Sequence, residues 1–319
     1  MSPKRSTMRR AFAFGAATLV TALAGMADAH ATVIGVSHNR VTNFQFFVSD
    51  PSVTFRPGDT TATDAASFNG PTVNNVVNCG PGGITPTPPC NPGGLSANAP
   101  QATAGPGPFP AEDTYTTFPA GGFGARSDAN ITGIFGQLGG AGASGFAETR
   151  LSTLSTGGAS ASEEIVSIVE WPEIFMAAFD FSFFATPFMQ VAVDQPGDAS
   201  AAVMSLDVRL TNSAGNTVFL WTPGSSSGQV GVASETDPYS LNLALLANTP
   251  GDNSIFSPGQ GDFSATSVIL PGDVYTLSVL MTGTVRAAST TATVPEPGSL
   301  ALLGLAFAGL RFARRRKLH

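Results

Sequence analysis

Apolar residues at every second position limit this chain's fold more than any other feature. From 175 to 183 the odd positions carry Phe175, Phe179, Phe181 and Phe183, with Ala178, Asp180 and Ser182 between them. Met204, Leu206, Val208 and Leu210 then alternate with Ser205, Asp207, Arg209 and Thr211. A strand points successive side chains to opposite faces, so this pattern builds sheets with one buried face. The turn Asn212-Ser213-Ala214-Gly215-Asn216 leads into Val218, Phe219, Leu220 and Trp221, which predicts a hairpin. Phe263 to Leu270 and Val274 to Val285 predict a second pair, joined at Pro271-Gly272-Asp273.

Pro-Gly-Asp recurs at Pro57-Gly58-Asp59, Pro196-Gly197-Asp198 and Pro250-Gly251-Asp252. Proline presets φ and glycine accepts a positive φ, so each predicts a turn. The first half is plainer. Thr32 to Val48 is β-rich, whereas residues 50–119 are rich in Pro, Gly, Asn and Thr and read as long loops. Phe123 to Leu154 mixes short apolar pieces with glycines and fits either strands or short helices. Outside the two ends no helical pattern exceeds two turns. The expected fold is all-β, an antiparallel β-sandwich of jelly-roll type, with an N-terminal signal helix and a C-terminal single transmembrane helix.

The ends differ from the body. In residues 1–31, Lys4, Arg5, Arg9 and Arg10 precede an uncharged apolar stretch from Ala11 to Met26. Ala27-Asp28-Ala29-His30-Ala31 then offers overlapping small-x-small cleavage sites. This is the three-part form of a secretory signal, cut after Ala31 or alternatively Ala29. Its partners would be the Sec translocon and signal peptidase. In residues 294–319, Val294-Pro295-Glu296-Pro297 precedes an apolar run containing Leu300, Leu302, Leu303, Leu305, Phe307 and Leu310. Arg311, Arg314, Arg315, Arg316 and Lys317 follow. The run falls short of the ~20 residues of an ordinary spanning helix, so it suits a temporary tether. The basic cluster should stay cytoplasmic and stop transfer.

This tail resembles the PEP-CTERM sorting signal of Gram-negative bacteria. The resemblance implies recognition at Pro295, Glu296 and Pro297 by an exosortase-type membrane protease, with transient anchoring in the inner membrane. A plain C-terminal membrane anchor is the alternative. Members of that group occur in bacteria that make exopolysaccharide, and the resemblance implies a final place in the periplasm, at the outer surface or in the extracellular biofilm matrix. Residues 126–133 and 237–242 also resemble segments of uncharacterised PEP-CTERM surface proteins, which have no assigned catalytic role.

Between the ends, residues 32–293 form the expected exported body. Of 15 Lys and Arg residues, four lie in the leader and five in the tail. The six that remain are Arg40, Arg56, Arg126, Arg150, Arg209 and Arg286, so the body has no lysine. Of 22 acidic residues, Asp28 and Glu296 lie in the ends, leaving 20 and a body charge of 6 − 20 = −14. Such a surface excludes nucleic acid, whose phosphates need clustered cations. Cys79 and Cys90 are the two cysteines. In an oxidising compartment they are expected to pair, closing a short loop worth roughly 2–3 kcal/mol.

Catalytic patterns are poor. Gly224-Ser225-Ser226-Ser227-Gly228 matches a hydrolase elbow in letters, but no helix pattern follows and the next histidine is His319. Gly140 to Gly145 matches a dinucleotide loop without the βαβ unit that loop requires. His38 is the single body histidine if the leader is cut after Ala31. The carboxylate pairs Glu112-Asp113 and Glu163-Glu164 read as solvated. No cofactor or metal is expected; a weak calcium reading rests on Asp194 with Asp198 or Asp59 with Asp64. The expectation is a non-catalytic surface or matrix protein. The alternatives are a carbohydrate-binding or adhesive module stacking sugars on Trp171, Trp221, Tyr115 or Tyr239, and, further off, a secreted hydrolase using carboxylates. Thiol labelling of exported protein, with and without reductant, is expected to find both cysteines blocked until reduction.

Overall fold

The computed structural model describes residues 32–49, 53–80, 96–114, 116–119, 122–133, 140–152, 157–224 and 228–290. The expected signal helix and membrane helix lie outside these residues, as do the cleavage sites Ala29 and Ala31 and the sorting residues Pro295, Glu296 and Pro297. Among the described residues no helix is long and apolar enough to cross a membrane.

The chain alternates between two antiparallel sheets. In order the strands are β1 (Thr32–Val48), β2 (Arg56–Phe68), β3 (Thr72–Cys79), β4 (Ala97–Gly107), β5 (Phe123–Thr132), β6 (Ala141–Ser152), β7 (Gly157–Phe175) and β8 (Phe179–Ala185). They continue with β9 (Phe188–Ala192), β10 (Ala199–Asn212), β11 (Thr217–Trp221), β12 (Val232–Thr236), β13 (Leu243–Ala247), β14 (Asn253–Phe256), β15 (Gly261–Ser267) and β16 (Asp273–Ser289). The first sheet runs β12-β15-β8-β1-β6-β5-β4, with β9 and β14 extending it beside β1. The second runs β11-β10-β16-β7-β2-β3, with β13 also on β10.

Strand β1 organises the first sheet. One edge pairs with β6, while the other pairs with β9 and β8, keeping one register from Ile34 opposite Ala192 to Thr42 opposite Phe184 and slipping by a residue before Gln45. Thr186 still donates its N–H to the Arg40 carbonyl at 2.9 Å. Pro187 has no N–H to give, so the ladder breaks there and two strands result.

The two sheets face one another, and their inner faces make an uneven core. At one end, Phe44 and Phe46 of β1, Phe179, Phe181 and Phe183 of β8 and Phe263 of β15 meet Trp171 of β7 and Phe219 and Trp221 of β11. Phe181 lies 5.0 Å from Trp221 and Phe46 lies 5.0 Å from Trp171, centroid to centroid. Phe44 stacks on Phe181 at 5.6 Å, and Phe179 meets Phe219 edge-on at 4.7 Å. At the other end the buried residues are mostly small: Ala62, Ala66, Ala99, Ala102, Ala125, Ala129, Ala147, Ala159 and Ala161.

Several expectations change. The described residues of 50–119 are not mainly loop: they include β2, β3 and β4. Thr60, Thr61, Thr63, Val73, Val76 and Val77 are β-branched and fit a pleated surface, but few are large enough to show an apolar period. Phe123 to Leu154 resolves to β5 and β6. Strands β15 and β16 are not a hairpin: they lie in opposite sheets, and residues 268–272 arch between them with Leu270 buried. Their apolar faces meet across the core, which alternation alone does not distinguish from pairing edge to edge.

The predicted hairpin is present, with Val208 opposite Trp221 and Gly215 at φ 78°. Two Pro-Gly-Asp sites form matching turns: Asp198 N–H reaches the Gln195 carbonyl at 3.2 Å, and Asp252 N–H the Thr249 carbonyl at 2.9 Å. Gly197 and Gly251 take φ of 85° and 88° there. Pro57-Gly58-Asp59 instead falls within β2, where the register with β7 slips between Pro57 and Thr60.

The segment 237–242 completes the edge of β10. Between the stretches paired to β11 and β13, Leu206 has no strand neighbour on that side. Asn242 substitutes for one: its Oδ1 accepts the Leu206 N–H at 3.2 Å and its Nδ2 donates to the Leu206 carbonyl at 3.1 Å. The Trp221→Ala variant is expected to lose about 3–5 kcal/mol of stability, read as a lower urea midpoint.

Candidate functional site

Odd-numbered residues of β5, β6 and β1 as far as Val41 point at the second sheet; beyond Val41 a bulge reverses the parity of β1 and turns Phe44 and Phe46 inward. Ser37 donates to the Val203 carbonyl at 3.3 Å, and Ser127 to the Ala65 carbonyl at 3.1 Å. By alternation the even-numbered residues face away, and there the sequence places charge: Arg126, Asp128, Glu148 and Arg150. The segment 108–119 folds back over them. Glu148 accepts the Phe118 N–H at 2.8 Å and Arg126 Nε at 2.9 Å. The Arg126 guanidinium also donates to the Thr114 carbonyl at 3.2 Å and to the Thr116 carbonyl. It lies 4.2 Å from the Phe146 ring centroid and 5.8 Å from that of Phe118. Arg150 donates to the Phe118 carbonyl at 3.3 Å.

Arg126 is fully buried and Glu148 is 1% exposed. Burial pushes the Glu148 carboxyl above its ordinary range, although the Phe118 N–H and Arg126 pull it down. Burial also pulls the Arg126 guanidinium below its ordinary value against the attraction of Glu148. Desolvation therefore takes more than the pairing returns, as buried ion pairs often do. The pair still fixes where the roof segment docks, because each member is bonded to roof backbone.

A row of polar residues crosses the same face beside the roof. Arg40 of β1 is opposite Ser144 of β6, Ser144 is opposite Asn130 of β5, and Asn130 is opposite Asn98 of β4. Asn98 and Asn130 both donate to the Asp113 carboxylate, at 3.3 and 3.4 Å. Asp113 sits at φ 58° and gives its N–H to Asp128 at 2.7 Å. Burial pushes Asp128 up to about 6, with the charges of Asp113 and Glu112 adding to the effect. A cleft of about 290 Å³ opens here, lined by Arg40, Thr42, Asp113, Asn130, Thr132 and Ser144. It offers hydroxyls, amides, one exposed cation and the Asp113 carboxylate to a polar ligand.

His38 lies at the border of this cleft, with Nε2 3.5 Å from Ser144 Oγ. Burial, together with the charges of Arg40 and Arg126, holds the imidazole down at about 4. The charges acting on the ring are thus cationic. A nucleophilic serine needs a base oriented and stabilised by an anion, the opposite arrangement.

Two more carboxylates point into the small-residue end of the core. Asp64 of β2 is directly opposite Glu163 of β7. Glu163 rests over Gly145 and Gly283: a Cβ at either would come within 2.4 Å of its carboxylate. Asp64 Oδ2 accepts the Ala129 N–H at 3.0 Å, whereas both Glu163 oxygens lack a hydrogen-bond partner among the described residues. Burial, then the charge of Asp128, pushes Asp64 up to about 8. Burial, with Asp64 and Glu164, pushes Glu163 well up.

Several candidates expected from the sequence are separated or redirected. Trp171 and Trp221 are fully buried, so neither is a sugar-stacking platform; Trp221 Nε1 donates to Glu235 at 2.7 Å. The Tyr239 hydroxyl is committed to the carbonyls of Ala185 and Gly259, at 2.9 and 2.8 Å. Tyr115 lies outside the described residues. Glu163 is buried and Glu164 exposed, so adjacent positions of one strand send them to opposite faces. The same alternation separates buried Asp64 from exposed Asp59 and dissolves that calcium pairing. Asp194 is engaged by Thr32, and Asp198 is buried in its turn.

Among the described residues no group of three His, Cys, Asp or Glu is placed to hold a metal. Gly140 to Gly145 runs into β6, an antiparallel strand. After Gly228, Val230 bridges back to Leu220 and no helix follows. Cys79 is buried at the end of β3, and its expected partner Cys90 lies outside the described residues. No catalytic or ligand motif singles out the roofed residues. Their signal is Arg126, Asp128 and Asn130 alternating with Ala125, Ser127 and Ala129, a strand whose polar face needs a cover.

The PEP-CTERM protein-sorting motif matches residues 293–317. No curated protein matches the chain. One solved structure, titled as that of infectious bursal disease virus Gt strain, aligns at 11% identity over 91% of this chain and 74% of that one, with a TM-score of 0.12. The motif marks an exported protein processed at the membrane, with an exosortase as the processing partner.

The carboxylates make a pH prediction. Asp64 and Asp128 hold protons up to about 8 and 6, against an ordinary value of 3.8. The folded state thus binds protons the unfolded chain has released, and this contribution to stability, complete below about 4, is lost as pH rises through the folded values. His38 acts oppositely, adding stability as pH rises from about 4 to 6.5. Above 6.5 the carboxylates remain. The thermal midpoint is expected to fall between pH 6.5 and 8.5, and Asp64→Asn to flatten that fall; a flat wild-type profile would refute it.

Proposed function

We propose that the chain is a non-catalytic structural protein of the cell surface or exopolysaccharide matrix, delivered by its leader and released by processing at its tail. The observation that carries the reading is the sorting motif at 293–317 on an otherwise all-β, Lys-free acidic body. Supporting it, four buried charged groups serve the fold. Arg126 and Glu148 hold the roof, while Asp64 and Glu163 sit between the sheets where no substrate reaches. In this reading the body is a jelly-roll-like sandwich of residues 32–293 with no cofactor, and Cys79–Cys90 is a disulfide tying down the loop after β3. The Sec translocon and signal peptidase act before the exosortase.

A second reading is favoured by the cleft beside Arg40. Its hydroxyls, with Arg40 and Asp113 as one cation and one anion, suit a hydroxyl-rich polysaccharide bound through hydrogen bonds rather than ring stacking. A glycan array tests it: Arg40→Ala is expected to weaken binding at least tenfold without moving the thermal midpoint.

Mass spectrometry of cell fractions tests the main reading. Protein outside the inner membrane should end within the Pro-Glu-Pro region. An intact C-terminus retained in the inner membrane of exosortase-competent cells would overturn it.

A further inference from the structure

Strand β1 is part of the sheet from Thr32 onward. Val33 is already 2% exposed in the core, and Thr32 pairs with Ser152, the last residue of β6. The Thr32 nitrogen lies 2.8 Å from Asp194 Oδ2, and its hydroxyl donates to the same oxygen at 3.3 Å. Asp194 is held in place by its neighbour: Val193 donates to the Asp252 carbonyl at 3.1 Å and accepts the Gly251 N–H at 2.8 Å. The Asp252 carboxylate is occupied in its own turn by the N–H groups of Asn248 and Thr249, at 3.2 and 2.9 Å. Asp194 is therefore the carboxylate presented to the start of the strand.

We propose that the leader is cut between Ala31 and Thr32, and that the α-ammonium so released ion-pairs with Asp194. Before cleavage the Thr32 nitrogen is a neutral amide giving one hydrogen bond; hydrolysis of the Ala31–Thr32 peptide bond leaves a carboxylate on the leader and a charged amine on the body. Charge-assisted hydrogen bonds are shorter and about twice as strong as neutral ones. Processing thus fastens the first residue of the central strand. Cleavage after Ala29 would leave the amide in place and put the charge two residues away, roughly 7 Å along an extended chain. The proposal rests on the export reading, and its test separates the two.

Because the body has no lysine, with Lys4 in the leader and Lys317 in the tail, the α-amine is the sole primary amine of the fully processed protein. The full chain is produced in a secreting host, and the exported protein is analysed by N-terminal sequencing and by ¹³C reductive methylation with an NMR titration. Sequencing is expected to begin at Thr32. The amine is expected to titrate about 0.5–1 unit above the ordinary ~7.7 and to return there in Asp194→Asn. If that variant does not fold, raising the salt of the wild type to about 1 M should lower the midpoint toward ~7.7. Lys317, where the tail is retained, titrates near ~10.4 and is resolved. A chain beginning at His30, or a midpoint indifferent to both Asp194→Asn and salt, would overturn the proposal. Recovery of the leader-bearing chain alone would sink the export reading beneath it.

Discussion

The ring layer between the two sheets is the contact on which the rest of the structure depends. Phe44, Phe46, Phe179, Phe181, Phe183 and Phe263 come from the first sheet, and Trp171, Phe219 and Trp221 from the second. Aromatic side chains bury the most apolar area per residue, and offset or edge-on contacts add to it. This layer fixes the facing of the sheets at one end. Once β1 is committed there through Phe44 and Phe46, its long register with β6, β8 and β9 brings the remainder of the first sheet into place.

The opposite end is built differently and carries the polar chemistry. Alanines and glycines fill little volume, and two carboxylates enter the gap: Asp64, and Glu163 over Gly145 and Gly283. Both are disfavoured as anions, so this part of the core is tuned to hold protons. On the outer face of the same strands, Arg126 and Glu148 are buried by the roof instead of by a second sheet. Neither arrangement is the most stabilising use of the space, since apolar residues of similar volume avoid the desolvation cost. The Arg126–Glu148 pair gives position in return, anchoring the roof through the Phe118 N–H and the carbonyls of Thr114 and Thr116.

The distribution of cations ties the body to its processing. Lysine is confined to the two ends, as Lys4 and Lys317. The arginines described above have local tasks: Arg126 and Arg150 hold the roof, and Arg40 faces the polar cleft. A strongly acidic remainder disfavours association with anionic surfaces. At the start of that same body the Asp194 carboxylate stands 2.8 Å from the Thr32 nitrogen.

Sequence alone determined the fold class, because period-two alternation over Phe179 to Phe183 and Met204 to Leu210 is incompatible with a helix. It also determined the hairpin at 212–216, two of the Pro-Gly-Asp turns and the sorting tail, all local signals carried by a few adjacent residues. It did not reveal β2 to β4 within the Pro/Gly-rich region, since strands made of Thr, Ala and Asn carry little apolar contrast. Nor did it place β15 and β16 in opposite sheets or separate Glu163 from Glu164 in environment. Those outcomes depend on which strand lies across the core from which, and that is settled by packing between residues far apart in the chain. The roofed Arg126 and Glu148, the polar row from Arg40 to Asn98 and the meeting of Thr32 with Asp194 belong to the same class: tertiary structure decided them, because no local pattern encodes a neighbour 162 residues away.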